Sequence, residues 1–290
     1  MIGIGSSAAA GTHRAAGATR PPVVAGSRYL ALGDSISFGY RESNSIPAPN
    51  YSKPKTFVGF PEDVAANLGL NLTNAACPGE TSISLINAKA QSNGCENHFV
   101  KGSPPQPGGY RTLHPLHVKY ASATESQLTF AERSLRAHPN TRLVSLMIGA
   151  NDGFICQQKY SDGCLSEFGA LQKTITANAT KIFKGLRNTA RYTGQIVLVT
   201  YYSTNYANSI DNIESQGLNS ALEAAAKPFH VEIADGYGQF RVAARQAKGD
   251  TCAGGLLTAL SGSAAGTCGV HPSTAGAALL AQAVERAVKK

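Results

Sequence analysis

Four short motifs place residue types suited to acyl transfer at intervals along the chain. Gly33-Asp34-Ser35 directly follows an apolar run. A serine at the carboxyl end of a parallel strand stands where ligands bind in open α/β sheets, and a helix starting beside it would favour negative charge developing at its oxygen. Asn74-Ala75-Ala76-Cys77-Pro78-Gly79 and Gly149-Ala150-Asn151-Asp152 end the next two apolar runs. Gly79 lets a backbone N–H approach a ligand with no Cβ in the way, and the Asn151 amide is a neutral donor, so both suit an oxyanion hole. The fourth motif is Gly269-Val270-His271-Pro272-Ser273, where the proline biases His271 towards extended backbone, outside any helix. Each motif also has a plainer use. Ser35 could be a helix cap, Gly79 a turn residue, and Asn151-Asp152 a loop that tolerates left-handed backbone. No Gly-x-Ser-x-Gly elbow occurs.

The elements that must carry these residues alternate between short β-branched runs and stretches of helical period, the pattern of βαβ units. Strands are predicted at Tyr29 to Leu32, Leu70 to Ala75, Leu143 to Ile148, Ile196 to Tyr201 and Val231 to Ala234. The middle ones are too continuously apolar to face water on either side, so five parallel strands are expected inside the molecule. Phe168, Leu171, Ile175, Ile182 and Leu186 draw one apolar stripe along a covering helix. Thr274 to Lys289 does the same through Leu280, Val284 and Val288, with two terminal lysines suited to the negative end of its dipole. Lys89 to Tyr120, interrupted by four prolines, is too irregular for regular structure and is expected to border the binding site.

Composition narrows the class. Of 290 residues 42% are hydrophobic and 15% charged, which suits one large core. A leader or export-signal remnant, expected to be disordered, is read over residues 1–26, and a single domain over 27–290. The net charge of +8 comes from scattered lysines and arginines, whereas a nucleic-acid groove concentrates them, so no nucleic-acid partner is expected. No run approaches the ~18 to 20 apolar residues of a membrane span. Six cysteines fall as three sequential couples, Cys77 with Cys95, Cys156 with Cys164 and Cys252 with Cys268, each closing a short polar loop. No Cys-x-x-Cys is present, which argues against a zinc ribbon, and three staples of this kind point to an oxidising, extracellular setting. His114-Pro115-Leu116-His117 lacks a third ligand, and no metal site is expected.

Taken in the order Ser, Gly, Asn, His, the four motifs resemble those of the SGNH hydrolases, the GDSL lipase and esterase group. The resemblance runs from Tyr29 to the C-terminus. It implies a flavodoxin-like three-layer α/β/α sandwich around a five-stranded parallel sheet. It also implies Ser35 as nucleophile, His271 as general base, and an oxyanion hole made by the Ser35 and Gly79 N–H groups and the Asn151 side chain. Three sequential disulfides resemble the secreted bacterial branch, which implies an extracellular enzyme that needs no metal or organic cofactor. The family usually has an aspartate three residues before the histidine; here that position is Cys268. A dyad is therefore expected, with the backbone carbonyl of Cys268 accepting the His271 Nδ1 proton.

The expected activity is hydrolysis of carboxylic esters through an acyl-enzyme, acting on a small-molecule or lipid ester, in a monomer. Fold and serine do not choose the acyl or alcohol part, so a polysaccharide deacetylase or a phospholipase on the same site competes with this. A secreted binding module that keeps the scaffold without turnover is the alternative of another kind.

Overall fold

The structure is a computed structural model that describes residues 20–262 and 267–290. Five parallel strands form its centre: β1 (Arg28–Gly33), β2 (Asn71–Asn74), β3 (Thr141–Met147), β4 (Gln195–Val199) and β5 (Glu232–Ala234). Their spatial order is β2-β1-β3-β4-β5, which is the flavodoxin-like order. β1, β3 and β4 are apolar and buried nearly throughout, because helices cover both faces of the sheet. β2 is shorter than its apolar run and lies at an edge, where its first residue is exposed.

The helices are α1 (Ser35–Phe38), α2 (Phe60–Leu68), α3 (Gln127–Ala137), α4 (Ala150–Lys159), α5 (Phe168–Lys184), α6 (Ser209–Ala226), α7 (Gly236–Ala243) and α8 (Thr274–Ala287). One layer holds α2, α7 and α8, and the other holds α3, α5 and α6. The predicted stripe on α5 is real: Ile175 and Ile182 are fully buried, and Leu186 continues it in a wider helical turn. Side chains mark the helix starts. Ser126 accepts from the Thr129 N–H, Asn208 from Ile210 and Ser273 from Gly276.

Two ends differ from expectation. α8 stops at Ala287, because the buried Gln195 side chain captures the Lys289 N–H and carbonyl at 2.8 Å each and holds that segment extended. Lys289 therefore faces Glu232 at 3.2 Å rather than the helix dipole. The expected disordered leader falls partly on residues 1–19, outside the described residues. Residues 20–26 are docked: Val23 is buried and its N–H donates to the Lys289 carbonyl, and Gly26 donates to Gly69.

After β1 the chain pairs β2 on one side and then crosses to place β3 on the other. The crevice between the carboxyl ends of β1 and β3 is therefore the topological switch point. Gly33 makes the close approach there possible. At φ +137° its backbone runs so near β3 that a Cβ would lie 2.1 Å from the Met147 carbonyl oxygen.

Candidate active site

Ser35 is the first residue of α1, immediately past Gly33, and is not the helix cap. That role falls to Asp34, whose Oδ1 accepts the Ile36 N–H at 3.0 Å. Asp34 Oδ2 accepts a short hydrogen bond from the Tyr201 hydroxyl. Burial pushes the Asp34 carboxyl up to about 6 against the lowering effect of those bonds. The turn presenting Ser35 is thus locked from below.

His271 arrives from the other end of the chain. It lies on Cys268–Pro272, which pairs antiparallel with Leu257–Ala259 and is tethered by the Cys252–Cys268 disulfide. Its Nε2 stands 2.9 Å from Ser35 Oγ. Its Nδ1 stands 2.7 Å from Glu42 Oε1, so the group at Nδ1 is a carboxylate and not the expected Cys268 carbonyl. A carboxylate only accepts, which makes Nδ1 the protonated nitrogen and leaves Nε2 free to accept from the serine hydroxyl.

Glu42 is well held. Oε1 also accepts the Val270 N–H at 3.1 Å, and Oε2 accepts from Thr258 Oγ1 at 2.6 Å. Partial burial raises its carboxyl, but the hydrogen bond and charge of His271, with Thr258, carry it down to about 2. Nothing near Glu42 in sequence marks it, since 229 positions separate it from His271. Gly269 leaves room for it, since a Cβ there would meet the Glu42 carboxylate at 1.8 Å. The two aspartates nearest His271 in sequence are engaged elsewhere: Asp235 caps α7 through Gly238 N–H, and Asp250 accepts from Ala253 N–H.

The remaining motifs converge on the same crevice. Asn151 lies in the first turn of α4, after Gly149. One N–H of its amide goes to the Glu80 carbonyl at 3.0 Å, and its Oδ1 accepts from Asn93 Nδ2 at 3.0 Å, so the second N–H remains for a ligand. Gly79 has φ +82° and lies against Asn93, where a Cβ would come within 2.5 Å of the carbonyl oxygen. Among the described residues, no protein acceptor takes the Ser35 or Gly79 backbone N–H. Asn93 also donates its backbone N–H to the Gly79 carbonyl at 2.7 Å. It therefore positions both Gly79 and Asn151, and sequence reasoning missed it inside the irregular segment.

That irregular segment supports the site from behind. No residue of 89–120 lines the cavity at Ser35. The Cys77–Cys95 disulfide closes the Gly79 loop, Tyr110 packs on Phe38 of α1, and His117 Nε2 stands 3.0 Å from the Phe38 carbonyl. His117 is thus engaged with backbone, and His114 packs against Tyr51 and Tyr110. The third disulfide, Cys156–Cys164, links the end of α4 to the loop before α5.

A cavity of about 260 Å³ opens from Ser35, Asn151 and His271 and runs between α4, α5 and α6. Phe154, Phe168, Leu171, Ile175 and Leu218 line it, together with Asp211 and Glu214. Gln157 Nε2 donates to Glu214 at 3.1 Å, tying α4 to α6.

The family model described as GDSL-like Lipase/Acylhydrolase family matches residues 108–279, more than half of the chain. The chain belongs to this family. It is accordingly a carboxylic ester hydrolase of GDSL type. The matched stretch includes Asn151 and His271 and begins after Ser35, Glu42 and Gly79. No curated protein matches the chain. Among solved structures, it is similar to phospholipase A1 from Streptomyces albidoflavus NA297, at 18% identity and a TM-score of 0.57 over 91% of this chain and 100% of that one. It is also similar to Axe2, an acetylxylan esterase from Geobacillus stearothermophilus, at 18% identity and a TM-score of 0.54, covering 92% and 95%. At these identities the likeness establishes the shared α/β fold.

Proposed function

We propose that this GDSL enzyme cleaves esters of medium to long acyl chains with Ser35 as nucleophile, His271 as general base and Glu42 as the acid that orients it. The observation carrying this is the continuous chain of contacts from Ser35 Oγ through the imidazole to the Glu42 carboxylate, at the mouth of an apolar cavity. His271 Nε2 takes the Ser35 proton as the oxygen attacks the ester carbonyl. The carbonyl oxygen becomes an oxyanion facing the Ser35 N–H, the Gly79 N–H and the second Asn151 N–H. Collapse breaks the bond to the alcohol, which leaves with the proton from His271. Water, deprotonated by the same imidazole, then attacks the acyl-enzyme and releases the acid.

The cavity favours a fatty acyl group over acetyl, because an acetyl group is much smaller than about 260 Å³ and would leave the aromatic and leucine lining unused. Three disulfides support a secreted enzyme, and a site completed within one chain supports action as a monomer built on one catalytic domain. Hydrolysis of p-nitrophenyl esters from acetate to palmitate, with Ser35→Ala as control, tests the proposal. We expect kcat/KM to rise beyond butyrate and Ser35→Ala to be inactive. Fastest turnover of acetyl esters would favour a deacetylase, and full activity of Ser35→Ala would overturn the nucleophile.

A further inference from the structure

Five of the twelve exposed large apolar side chains among the described residues, Phe154, Leu165, Ile210, Ile213 and Val270, lie on or directly beside residues that line the Ser35 cavity. Ile210 and Ile213 are 50% and 62% exposed and sit on the first turns of α6, flanking the lining residues Asp211 and Glu214 in sequence. Helical period puts Asp211, Ser215 and Leu218 towards the cavity and Asn212 and Gln216 around the other side. There a second, open hollow of about 420 Å³ is lined by Tyr206, Asn212, Gln216 and Tyr237. Three cations, Arg241, Arg245 and Lys248, complete it, and none of them makes an ion pair among the described residues. Asp235 and Asp250 are the nearest acids in sequence, and both are occupied by backbone N–H groups. One helix width, roughly 10 to 12 Å, separates the two hollows.

We propose that this face of the enzyme is a docking surface for an anionic lipid interface. The apolar ring enters the head-group region around the cavity mouth, while Arg241, Arg245 and Lys248 hold the phosphate of a neighbouring lipid. Charge complementarity selects the occupant: three cations without an ion pair among the described residues, together with exposed isoleucines on the first turns of α6, fit a sheet of anionic head groups over hydrocarbon, and an ester carried in that sheet would enter the cavity acyl end first. The arrangement rests on the acyl-ester chemistry proposed above. The residues substituted to test it, Ile210, Ile213, Arg241, Arg245 and Lys248, lie outside the catalytic groups and the cavity lining.

Co-sedimentation with phosphatidylcholine vesicles, with and without phosphatidylglycerol, tests this. The Ser35→Ala protein is used so that the vesicles survive. Binding is expected to be at least tenfold stronger with phosphatidylglycerol and to be released by high salt. The triple variant Arg241→Gln/Arg245→Gln/Lys248→Gln should erase that preference, and Ile210→Ser/Ile213→Ser should weaken binding to both vesicles. In the Ser35 background, both variants should hydrolyse soluble p-nitrophenyl butyrate at the wild-type rate, a readout that depends on the catalytic proposal alone. Equal binding of the unsubstituted surface to both vesicles would overturn the inference whether or not the variants fold. Displacement by low-millimolar glycerol phosphate would overturn it too, by making the hollow a site for a soluble anion.

Discussion

At the scale of single residues, Glu42 changes what the site can do. A neutral carbonyl would hold the His271 tautomer but stabilise the imidazolium less than a carboxylate does. We expect Glu42→Gln to lower kcat by up to about 10⁴ with a small effect on KM, while Asp235→Asn and Asp250→Asn each cost less than about tenfold. Steady-state kinetics on one soluble ester decides between the three carboxylates. Glu42 also leaves a pH signature. Its carboxyl lies at about 2 in the fold against 4.5 ordinarily, so it contributes stability above pH 4.5 that drains away as pH falls towards 2. The stability gap between wild type and Glu42→Gln should narrow across that window in denaturant titrations, and a gap that widens on acidification would contradict the His271 pairing. Asn93 acts one step further from the ester. Asn93→Ala should reduce kcat by roughly tenfold through the loosened Asn151 amide, less than the ~10² to 10³ expected for Asn151→Ala, with KM unchanged in both.

At the scale of elements, the three motif loops are joined by the start of α3. Gln127 is fully buried, accepts the Gly33 N–H at 2.5 Å, and returns its amide to the Gly33 carbonyl and the Glu80 carboxyl at 3.0 Å each. Burial raises the Glu80 carboxyl well above its ordinary range, with Glu96 adding to the effect. Ser84 Oγ lies 2.5 Å from that carboxyl, and the Glu80 backbone carbonyl holds Asn151. One side chain therefore sets the spacing between the Ser35 turn and the Gly79 loop. Gln127→Leu strands the Gly33 N–H and removes one donor each from the Gly33 carbonyl, which keeps the Cys77 N–H, and from the Glu80 carboxyl, which keeps Ser84. At about 1 to 3 kcal/mol for the unsatisfied N–H and about 1 kcal/mol for each other lost bond, we expect a loss of roughly 2 to 4 kcal/mol in chemical unfolding, allowing for partial relaxation. A change below 1 kcal/mol would mean that the turn and the loop keep their spacing without this link.

At the scale of the whole molecule, disulfides stand where the sheet stops providing support. Cys77–Cys95 closes the loop of Gly79, and Cys252–Cys268 holds the strand that carries His271. The core beneath them is continuous through β1, β3 and β4 and needs no staple. Mild reduction should therefore lower activity together with the unfolding temperature, each loop losing about 2 to 4 kcal/mol of constraint. Retention of full activity after loss of the Cys252–Cys268 bond would show that the two-stranded ribbon alone positions the imidazole.

Periodic and continuous apolar runs were enough to read the five strands, the α5 stripe and the final helix, because burial on a sheet repeats locally along the chain. The Ser35, Gly79 and Asn151 blocks were legible for a related reason: each follows such a run, where a parallel sheet gathers loops from distant stretches, while His271 was marked by the proline after it and the final helix beyond. Glu42 and Asn93 were not legible. Neither lies at a strand end or in a periodic pattern, and what distinguishes them is a partner far along the chain: His271 for Glu42, and Gly79 and Asn151 for Asn93. The same holds for Gln127, which reads as an ordinary helix-start residue until the sheet brings Gly33 to it from 94 positions away. The sequence by itself thus determined the scaffold and the four blocks that meet in the crevice at Ser35. Which carboxylate meets the histidine, and what holds Gly79 and Asn151 in place, was decided only by tertiary packing, since hydrogen bonds between separate loops leave no local period to read.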